Sequence, residues 1–236
     1  MSLFDLSGRV AVVIGGTSGI GAVIASGFEN QGAAVVAAGR RTGCDVRSRE
    51  SIDALRDRAL AEHGHIDILV NAAGYTFRKP TVDVTDEEWN ALLDTNLNGA
   101  LRACQSFYEP LKASGRGRII NIASMASHLA YLEATAYGAS KTGLLSLTRS
   151  LAVEWARDGI LVNAIAPGFF PTELNSKLIL GTPRGSEVLM RTPLARFGKP
   201  EELVGAAVLL ASDASSFMTG QCIAVDGGLL ASGVNQ

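Results

Sequence analysis

Six short apolar runs rich in β-branched residues recur along the chain: Val10 to Ile14, Ala33 to Ala38, Ile66 to Asn71, Arg118 to Ala123, Ile160 to Ala166 and Cys222 to Val225. Longer amphipathic stretches separate them. That alternation predicts a parallel sheet with helices on both faces, because parallel neighbours need connections long enough to hold a helix. The helical periods predict helices over 19–30, 48–63, 85–108, 137–157 and 200–211. Thr85 followed by Asp86-Glu87-Glu88 is a helix start, with a capping oxygen and acidic residues where the helix dipole favours them. The stretch 167–199, broken by Pro171, Gly181, Pro183, Gly185 and Pro193, reads as a long irregular loop of the kind that serves as a lid or binding loop.

The chain has 236 residues, 47% of them hydrophobic, which is ample for one large α/β core; no linker divides it, so 1–236 reads as a single domain. A net charge of −2 gives no electrostatic reason to expect nucleic acid or an anionic membrane as partner. Cys44, Cys104 and Cys222 are odd in number and far apart, which argues against a disulfide framework. His63, His65 and His128 do not fall at metal-ligand spacing with carboxylates, so no metal is expected. The first residues, Met1-Ser2-Leu3-Phe4-Asp5, carry no basic region, and no apolar stretch reaches the roughly 18 residues of a membrane span. A cytoplasmic protein is the expectation.

Two motifs carry chemistry. The turn Gly15-Gly16-Thr17-Ser18-Gly19-Ile20-Gly21 follows the first apolar run and opens a helix. Glycines there let the backbone approach a pyrophosphate, and the helix N-terminus supplies N–H groups and partial positive charge. No Lys-Ser or Lys-Thr follows, which excludes a Walker-type phosphate loop. The second motif is Tyr137-x-x-x-Lys141, whose i, i+4 spacing on a helix holds an ammonium near a phenol. A neighbouring cation favours the phenolate and is expected to lower the tyrosine pKa. Tyr75 with Lys79 and Tyr108 with Lys112 repeat the spacing. Context separates them: Tyr75 sits in a loop before Pro80, and Pro110 is expected to disrupt a helix after Tyr108. Tyr137 opens a helix and follows Ser124, which ends an apolar run.

These elements, in this order, resemble the short-chain dehydrogenase/reductase family over nearly the whole chain, from Gly8 to Gly228. Asn71-Ala72-Ala73-Gly74, Asn96 in Thr95-Asn96-Leu97, Ser124, Tyr137 with Lys141, Pro167-Gly168 with Thr172, and Asp226-Gly227-Gly228 all match the family's pattern. The resemblance implies a Rossmann-like doubly wound parallel sheet and a nicotinamide cofactor. It implies Asn96, Ser124, Tyr137 and Lys141 as catalytic residues: Tyr137 exchanges the proton, Ser124 donates to the substrate oxygen, and Lys141 holds the nicotinamide ribose. Asn96 holds a water that links Lys141 to solvent. The implied cofactor contacts are Gly15, Thr17, Ser18, Gly19, Ile20 and Gly21, then Arg40, Asp45, Val46, Asn71, Ala72 and Gly74, then Tyr137, Lys141, Pro167, Gly168, Phe170 and Thr172. Taken singly, each of these residues has an ordinary structural explanation.

Two departures from the family stand out. Ile14 replaces a threonine before the first glycine, which removes a hydrogen bond that steadies the turn. Only Gly39 to Cys44 separate the second strand from Asp45-Val46, too few for a parallel crossover. The helix between the second and third strands is therefore expected to be deleted, and the third strand lost or distorted. Gly39 stands where relatives that prefer NAD carry Asp, and Arg40 where relatives that prefer NADP carry Arg, so NADP is the expected cofactor and NAD the alternative. Arg40 and Arg41 as plain loop charges is the rival reading.

Residues 125–136 and 169–190 are expected to line the substrate pocket, among them Met125, His128, Tyr131, Leu132, Phe170, Leu174, Leu178 and Met190, with Glu133 and His128 able to reach a hydroxyl. A small carbonyl or alcohol substrate is implied. The resemblance leaves two classes open: 3-oxoacyl thioesters, as in acyl-carrier-protein reductases, and sugar acids or polyols, as in gluconate 5-dehydrogenases. An acidic carrier protein would need a basic patch, for which Arg102, Lys112, Arg116 and Arg118 are available. A non-catalytic cofactor sensor on the same fold is a third class. Apolar stripes on helices 85–108 and 137–157 predict a homotetramer, or failing that a dimer.

Overall fold

Alternate residues of the first strand enter two different cores. In β1 (Val10–Ile14) all five residues are buried. Val10, Val12 and Ile14 join one apolar cluster, and Ala11 and Val13 join the other. A strand buried on both faces is the mark of a parallel sheet between helical layers. The computed structural model describes residues 3–172 and 176–233. Within them β1, β2 (Ala34–Ala38), β3 (Ile68–Asn71), β4 (Arg118–Ile122), β5 (Leu161–Pro167) and β6 (Cys222–Val225) form one all-parallel sheet in the order β2-β1-β3-β4-β5-β6.

The helices are α1 (Gly19–Asn30), α2 (Arg49–His63), α3 (Asp86–Leu93), α4 (Gly99–Ala113), α5 (Thr135–Trp155), α6 (Ser176–Ile179), α7 (Pro183–Arg191) and α8 (Val204–Ala211). Ile24 and Phe28 of α1 and Ala207 and Leu210 of α8 cover one face of the sheet. Ile52 and Leu55 of α2, Phe107 and Leu111 of α4, and Leu151 and Trp155 of α5 cover the other. Phe28 and Phe107, one in each layer, are 0% exposed. Burial of a side chain of this size contributes ~1.5–3 kcal/mol. No helix among the described residues is long and apolar enough to cross a membrane.

The chain starts one strand in from an edge, moves out to the edge strand β2, then recrosses to β3 on the other side of β1. Strand order therefore reverses between β1 and β3, and in such sheets the crevice at the carboxyl ends beside the reversal is where ligands bind. Register aligns those ends, since Ile14 pairs with Asn71 and Asn71 with Asn121. The turns that follow β1, β3 and β4 consequently open onto one cleft.

The expected deletion after β2 is present. A single 3-10 turn, Arg40–Thr42, and Gly43 with φ of 82° lead directly toward α2. Asp45 and Val46 form no strand: the Asp45 N–H donates to Ser51 Oγ at 2.9 Å, and Val46 is buried beneath Gly99. β2 is left as a sheet edge, and its first four residues are correspondingly exposed or half-buried. The Thr85 start is also as expected, with the Glu88 N–H on Thr85 Oγ1 at 3.3 Å and the Thr85 N–H on Glu88 Oε2 at 3.0 Å.

Three expectations need correction. Pro110 does not end its helix, because α4 runs through it to Ala113. The carbonyl that loses the proline's N–H is that of Ser106, and it accepts from Arg56 Nη1 at 3.4 Å instead. The stretch 167–199 is not one loop. It contains α6 and α7, and Pro183 opens α7 from its first turn, behind Thr182, whose Oγ1 accepts the Gly185 N–H at 3.1 Å. The outward side of α5 is not an apolar stripe: its exposed residues include Thr142, Ser146, Arg149, Ser150, Val153 and Glu154.

Candidate active site

The glycine turn is built so that an added Cβ would strike backbone at three of its positions, Gly15, Gly16 and Gly21. A Cβ on Gly15, which has φ of 86°, would stand 2.5 Å from the Ala73 nitrogen, and one on Gly21 would stand 2.2 Å from the Gly15 oxygen. The hydrogen bond lost with Ile14 is replaced from β2, where the Ala38 carbonyl accepts from both Gly15 N–H at 2.7 Å and Gly16 N–H at 3.0 Å. At the start of α1, Ser18 makes no side-chain capping bond and the first turn carries no acidic residue. A helix start left this way offers its amide hydrogens and its positive dipole end to an anion. Thr172, after β5, brings its methyl to 4.0 Å from the Cβ position of Gly19 and faces the turn across the cleft. These features fit the pyrophosphate of a dinucleotide.

Among the described residues no carboxylate stands free beside the turn at the end of β2. Asp45 is ion-paired with Arg47 at 2.6 Å, and its hydrogen bonds to Arg47 hold its pKa at about 2. Arg40 is exposed, and Arg41 Nη2 donates to the Thr17 carbonyl at 3.3 Å, bringing a second cation against the glycine turn. The sequence offers Arg41 only as a plain loop charge beside Arg40; its contact with Thr17 appears once the shortened connection has folded.

The second half of the site gathers at the carboxyl ends of β3 and β4. Between α3 and α4 the helix widens into one π-turn, Asp94–Asn98, a feature frequent at functional sites. It carries Asn96, which is 1% exposed. Asn96 Oδ1 accepts from Tyr75 N–H at 3.0 Å, while its Nδ2 donates to the Tyr75 carbonyl at 2.8 Å and to Ser140 Oγ at 3.3 Å. Gly74 lets Asn96 and Lys141 converge, since a Cβ there would sit 3.1 Å from Asn96 Oδ1 and 3.5 Å from Lys141 Nζ.

Tyr137 and Lys141 lie one turn apart on α5. Tyr137 is hydrogen-bonded to Ser124, whose Oγ also accepts the Ala126 N–H at 3.1 Å. Lys141 is buried, with Nζ 5.8 Å from the Tyr137 ring centre, and it donates to the Ile122 carbonyl at 2.8 Å. Burial pushes the lysine down to about 8. Burial also raises the Tyr137 phenol, and the Ser124 hydrogen bond only partly offsets that rise. The expected lowering by Lys141 is therefore not what the structure shows, because desolvation dominates and the ammonium is directed to a carbonyl.

The other two Tyr-x-x-x-Lys pairs are structural. Tyr108 O–H and Lys112 both bind Asp158, at 2.7 and 2.9 Å, and Lys79 pairs with Glu88 at 2.8 Å. Several expected cofactor or pocket residues are also spent elsewhere. Asn71 Nδ2 donates to Asn121 Oδ1 at 2.9 Å within the sheet floor. Val46, Met125 and Phe170 belong to the apolar core, and Phe170 fills the space that a side chain at Gly198 would need. Leu132 is 80% and Met190 63% exposed. Glu133 is taken by Arg78 at 2.9 Å, and His128 Nε2 lies 3.8 Å from Cys222 Sγ. Leu174 and the Leu178 side chain lie outside the described residues. Gly168 follows β5, where its N–H donates to Val225 at 2.9 Å and a Cβ would strike Asp226.

A family described as Enoyl-(Acyl carrier protein) reductase matches residues 38–230. Over 250 aligned positions the chain is 40% identical to the 2-dehydro-3-deoxy-D-gluconate 5-dehydrogenase of Escherichia coli, covering 98% of this chain and 99% of that one. It is 37% identical to the gluconate 5-dehydrogenase of Gluconobacter oxydans, with 98% of each chain covered. A gluconate 5-dehydrogenase from Burkholderia cenocepacia, solved with NADP and tartrate, superposes with a TM-score of 0.93 at 36% identity over 98% of each chain. With the glycine turn, the Ser124-Tyr137-Lys141 geometry and these likenesses in agreement, the chain belongs to the short-chain dehydrogenase/reductase family of NAD(P)-dependent oxidoreductases.

Proposed function

We propose that this protein is an NADP(H)-dependent oxidoreductase that interconverts a secondary alcohol and a ketone on a sugar acid. The observation that carries the reading is the meeting of Tyr137, Ser124 and buried Lys141 beside Gly74, at the open end of the glycine-turn cleft. A nicotinamide held in this cleft would supply or accept the hydride. In the reductive direction Tyr137 gives its proton to the developing alkoxide, and its raised pKa keeps that proton in place at neutral pH. Ser124 donates a hydrogen bond to the same oxygen. Lys141 would hold the nicotinamide ribose and return a proton to Tyr137, and Asn96, fixed by both backbone groups of Tyr75, would hold the water through which Lys141 is reprotonated from solvent.

Relatives named for gluconate and deoxygluconate support the sugar-acid class. The four residues offered as a basic patch for the thioester reading are engaged elsewhere. Arg102 is paired with Asp94 at 2.6 Å, Lys112 with Asp158 at 2.9 Å and Arg116 with Asp67 at 2.9 Å, while Arg118 is buried at the opposite, amino end of β4. A panel of keto sugar acids, neutral ketoses and 3-oxoacyl thioesters, followed by NADPH absorbance, tests the assignment. Turnover of the thioesters alone would overturn it. Three free and well-separated thiols and the need for NADPH support a cytoplasmic location.

Arg40 and Arg41 are assigned to the 2′-phosphate of NADP, supported by two guanidinium groups at the end of β2 and, among the described residues, no free carboxylate there. Charge-assisted hydrogen bonds contribute ~1.5–3 kcal/mol, so Arg40→Ala is expected to weaken NADP binding roughly tenfold or more and to leave NAD nearly unchanged. Titration of both cofactors into both proteins checks this, and a wild type that prefers NAD would refute it.

A homotetramer is the proposed assembly. Thr142, Ser146 and Ser150 give the outer side of α5 a shallow surface around Val153, which is 83% exposed, and a second copy can approach such a surface closely. Light scattering at micromolar concentration is expected to give four chains. A monomer would contradict the proposal.

A further inference from the structure

Three arginines stand near the mouth of the site, and two of them already have a carboxylate. Arg78 lies 2.9 Å from Glu133, and Arg191 lies 2.9 Å from Glu187. Arg184, in the first turn of α7, has no carboxylate within ion-pair distance among the described residues; burial acts most against its charge and Arg78 adds to that, while Tyr131, Glu187 and Glu133 act the other way from further off. Its guanidinium carbon sits 5.9 Å from the centre of the Tyr131 ring, a geometry that holds a cation over an aromatic face. The side chain is half-buried. A guanidinium in direct contact with no carboxylate and partly removed from water is a place where an anion is favoured.

Tyr131 adds a second feature that points the same way. Its hydroxyl is buried and has no hydrogen-bond partner among the described residues. The ring is fixed by Phe169, which meets it edge-on at 5.8 Å, and it lies within electrostatic reach of Tyr137. Two residues further on, Glu133 adopts φ of 62°, uncommon for a residue with a side chain, and its carboxylate and carbonyl are committed to Arg78 and to Lys79 N–H. The loop therefore presents Tyr131 in a set position, with its own acid turned to another partner.

We propose that Arg184 and the Tyr131 hydroxyl form the subsite for the carboxylate of the substrate, and so determine which end of a sugar acid faces Tyr137. The inference rests on the sugar-acid reading given above. A guanidinium matches the two oxygens of a carboxylate in a fork that no neutral ketose can reproduce, and the phenol supplies a further donor. Arg184 and Tyr131, one lying over the ring of the other, thereby act together as specificity residues.

The test compares 5-keto-D-gluconate with a neutral ketohexose as substrates for wild type, Arg184→Ala and Tyr131→Phe. Loss of a charge-assisted pair corresponds to roughly tenfold or more. Arg184→Ala is therefore expected to raise KM for the keto acid about tenfold more than for the ketohexose, and to weaken competitive inhibition by tartrate to a similar degree. Tyr131→Phe, which keeps the ring under the guanidinium, is expected to give the same selectivity with a smaller change. NADPH titration of each variant shows whether the fold and cofactor site are intact. Equal losses on both substrates, or none, would overturn the subsite. Wild-type protein that reduces thioesters and no keto acid would overturn the functional reading itself, whereas a wild type active on the keto acid with an unaffected Arg184→Ala removes only the subsite.

Discussion

Tyr137→Phe is expected to lower turnover by roughly 10²–10⁴-fold, the usual contribution of a positioned proton donor, while cofactor affinity stays close to that of wild type. The substitution removes one oxygen and leaves the ring on α5. Its hydrogen bond to Ser124 is lost, but Ser124 keeps the Ala126 N–H and so keeps its place. Tyr108→Phe is the control, since that hydroxyl serves Asp158 on the outer surface and should leave turnover unchanged. The pH profile gives an independent readout. Burial raises Tyr137 and lowers Lys141 to about 8, so the phenol still holds its proton at the pH where the lysine loses its charge. Wild-type reduction should therefore decline as pH rises through about 8. Stopped-flow measurement of NADPH consumption across that range checks both points, and a fully active Tyr137→Phe would end the assignment.

What the sequence made legible, and what it hid, follows from the distance over which each feature is determined. The four inner strands could be read because burial on both faces gives them nearly continuous apolar runs, with β1 the clearest case, and the two edge strands β2 and β6, though only partly buried, are apolar runs as well. The missing strand was legible as arithmetic, with too few residues between Ala38 and Asp45 for a crossover. The Thr85 cap was legible because its partner, Glu88, is three residues away. Pro110 was misread because the group that rescues its helix, Arg56, is distant in sequence. Asn71 and Phe170 stand at family positions associated with the cofactor, yet their side chains bond Asn121 and fill the gap at Gly198, and no local pattern reports such long-range packing. Lys141 shows the same limit in electrostatic form. Its spacing from Tyr137 predicts proximity, but the competing carbonyl of Ile122 and the extent of burial exist only once β4 and α5 have met.

Gly21→Ala is expected to cost cofactor affinity on the order of 10²-fold, the scale on which a displacement of about 1 Å at a positioning element acts. Gly21 has no special backbone conformation, since it is absent from the residues with positive φ and lies within α1. Its constraint is one of space. An added Cβ would meet the Gly15 oxygen at 2.2 Å and the Ala72 Cβ at 3.2 Å, and the first of these is backbone that cannot rotate away. To relieve the clash the turn must move off α1, but Gly15 is itself pinned by its N–H to Ala38 and by the closeness of Ala73. Overpacking of this kind destabilises by ~1–3 kcal/mol, so a lower Tm should accompany the weaker binding. Gly205 in α8 provides the comparison: nothing lies within 4 Å of its Cβ position. There the same substitution should stabilise the protein by ~0.5–1 kcal/mol, through helix propensity alone, and leave binding untouched. Thermal melts and NADPH titrations of the two variants separate a general dislike of a methyl group in a helix from a cradle that has no room for one. A Gly21→Ala protein that binds NADPH as tightly as wild type would show that the turn is not where the pyrophosphate lies.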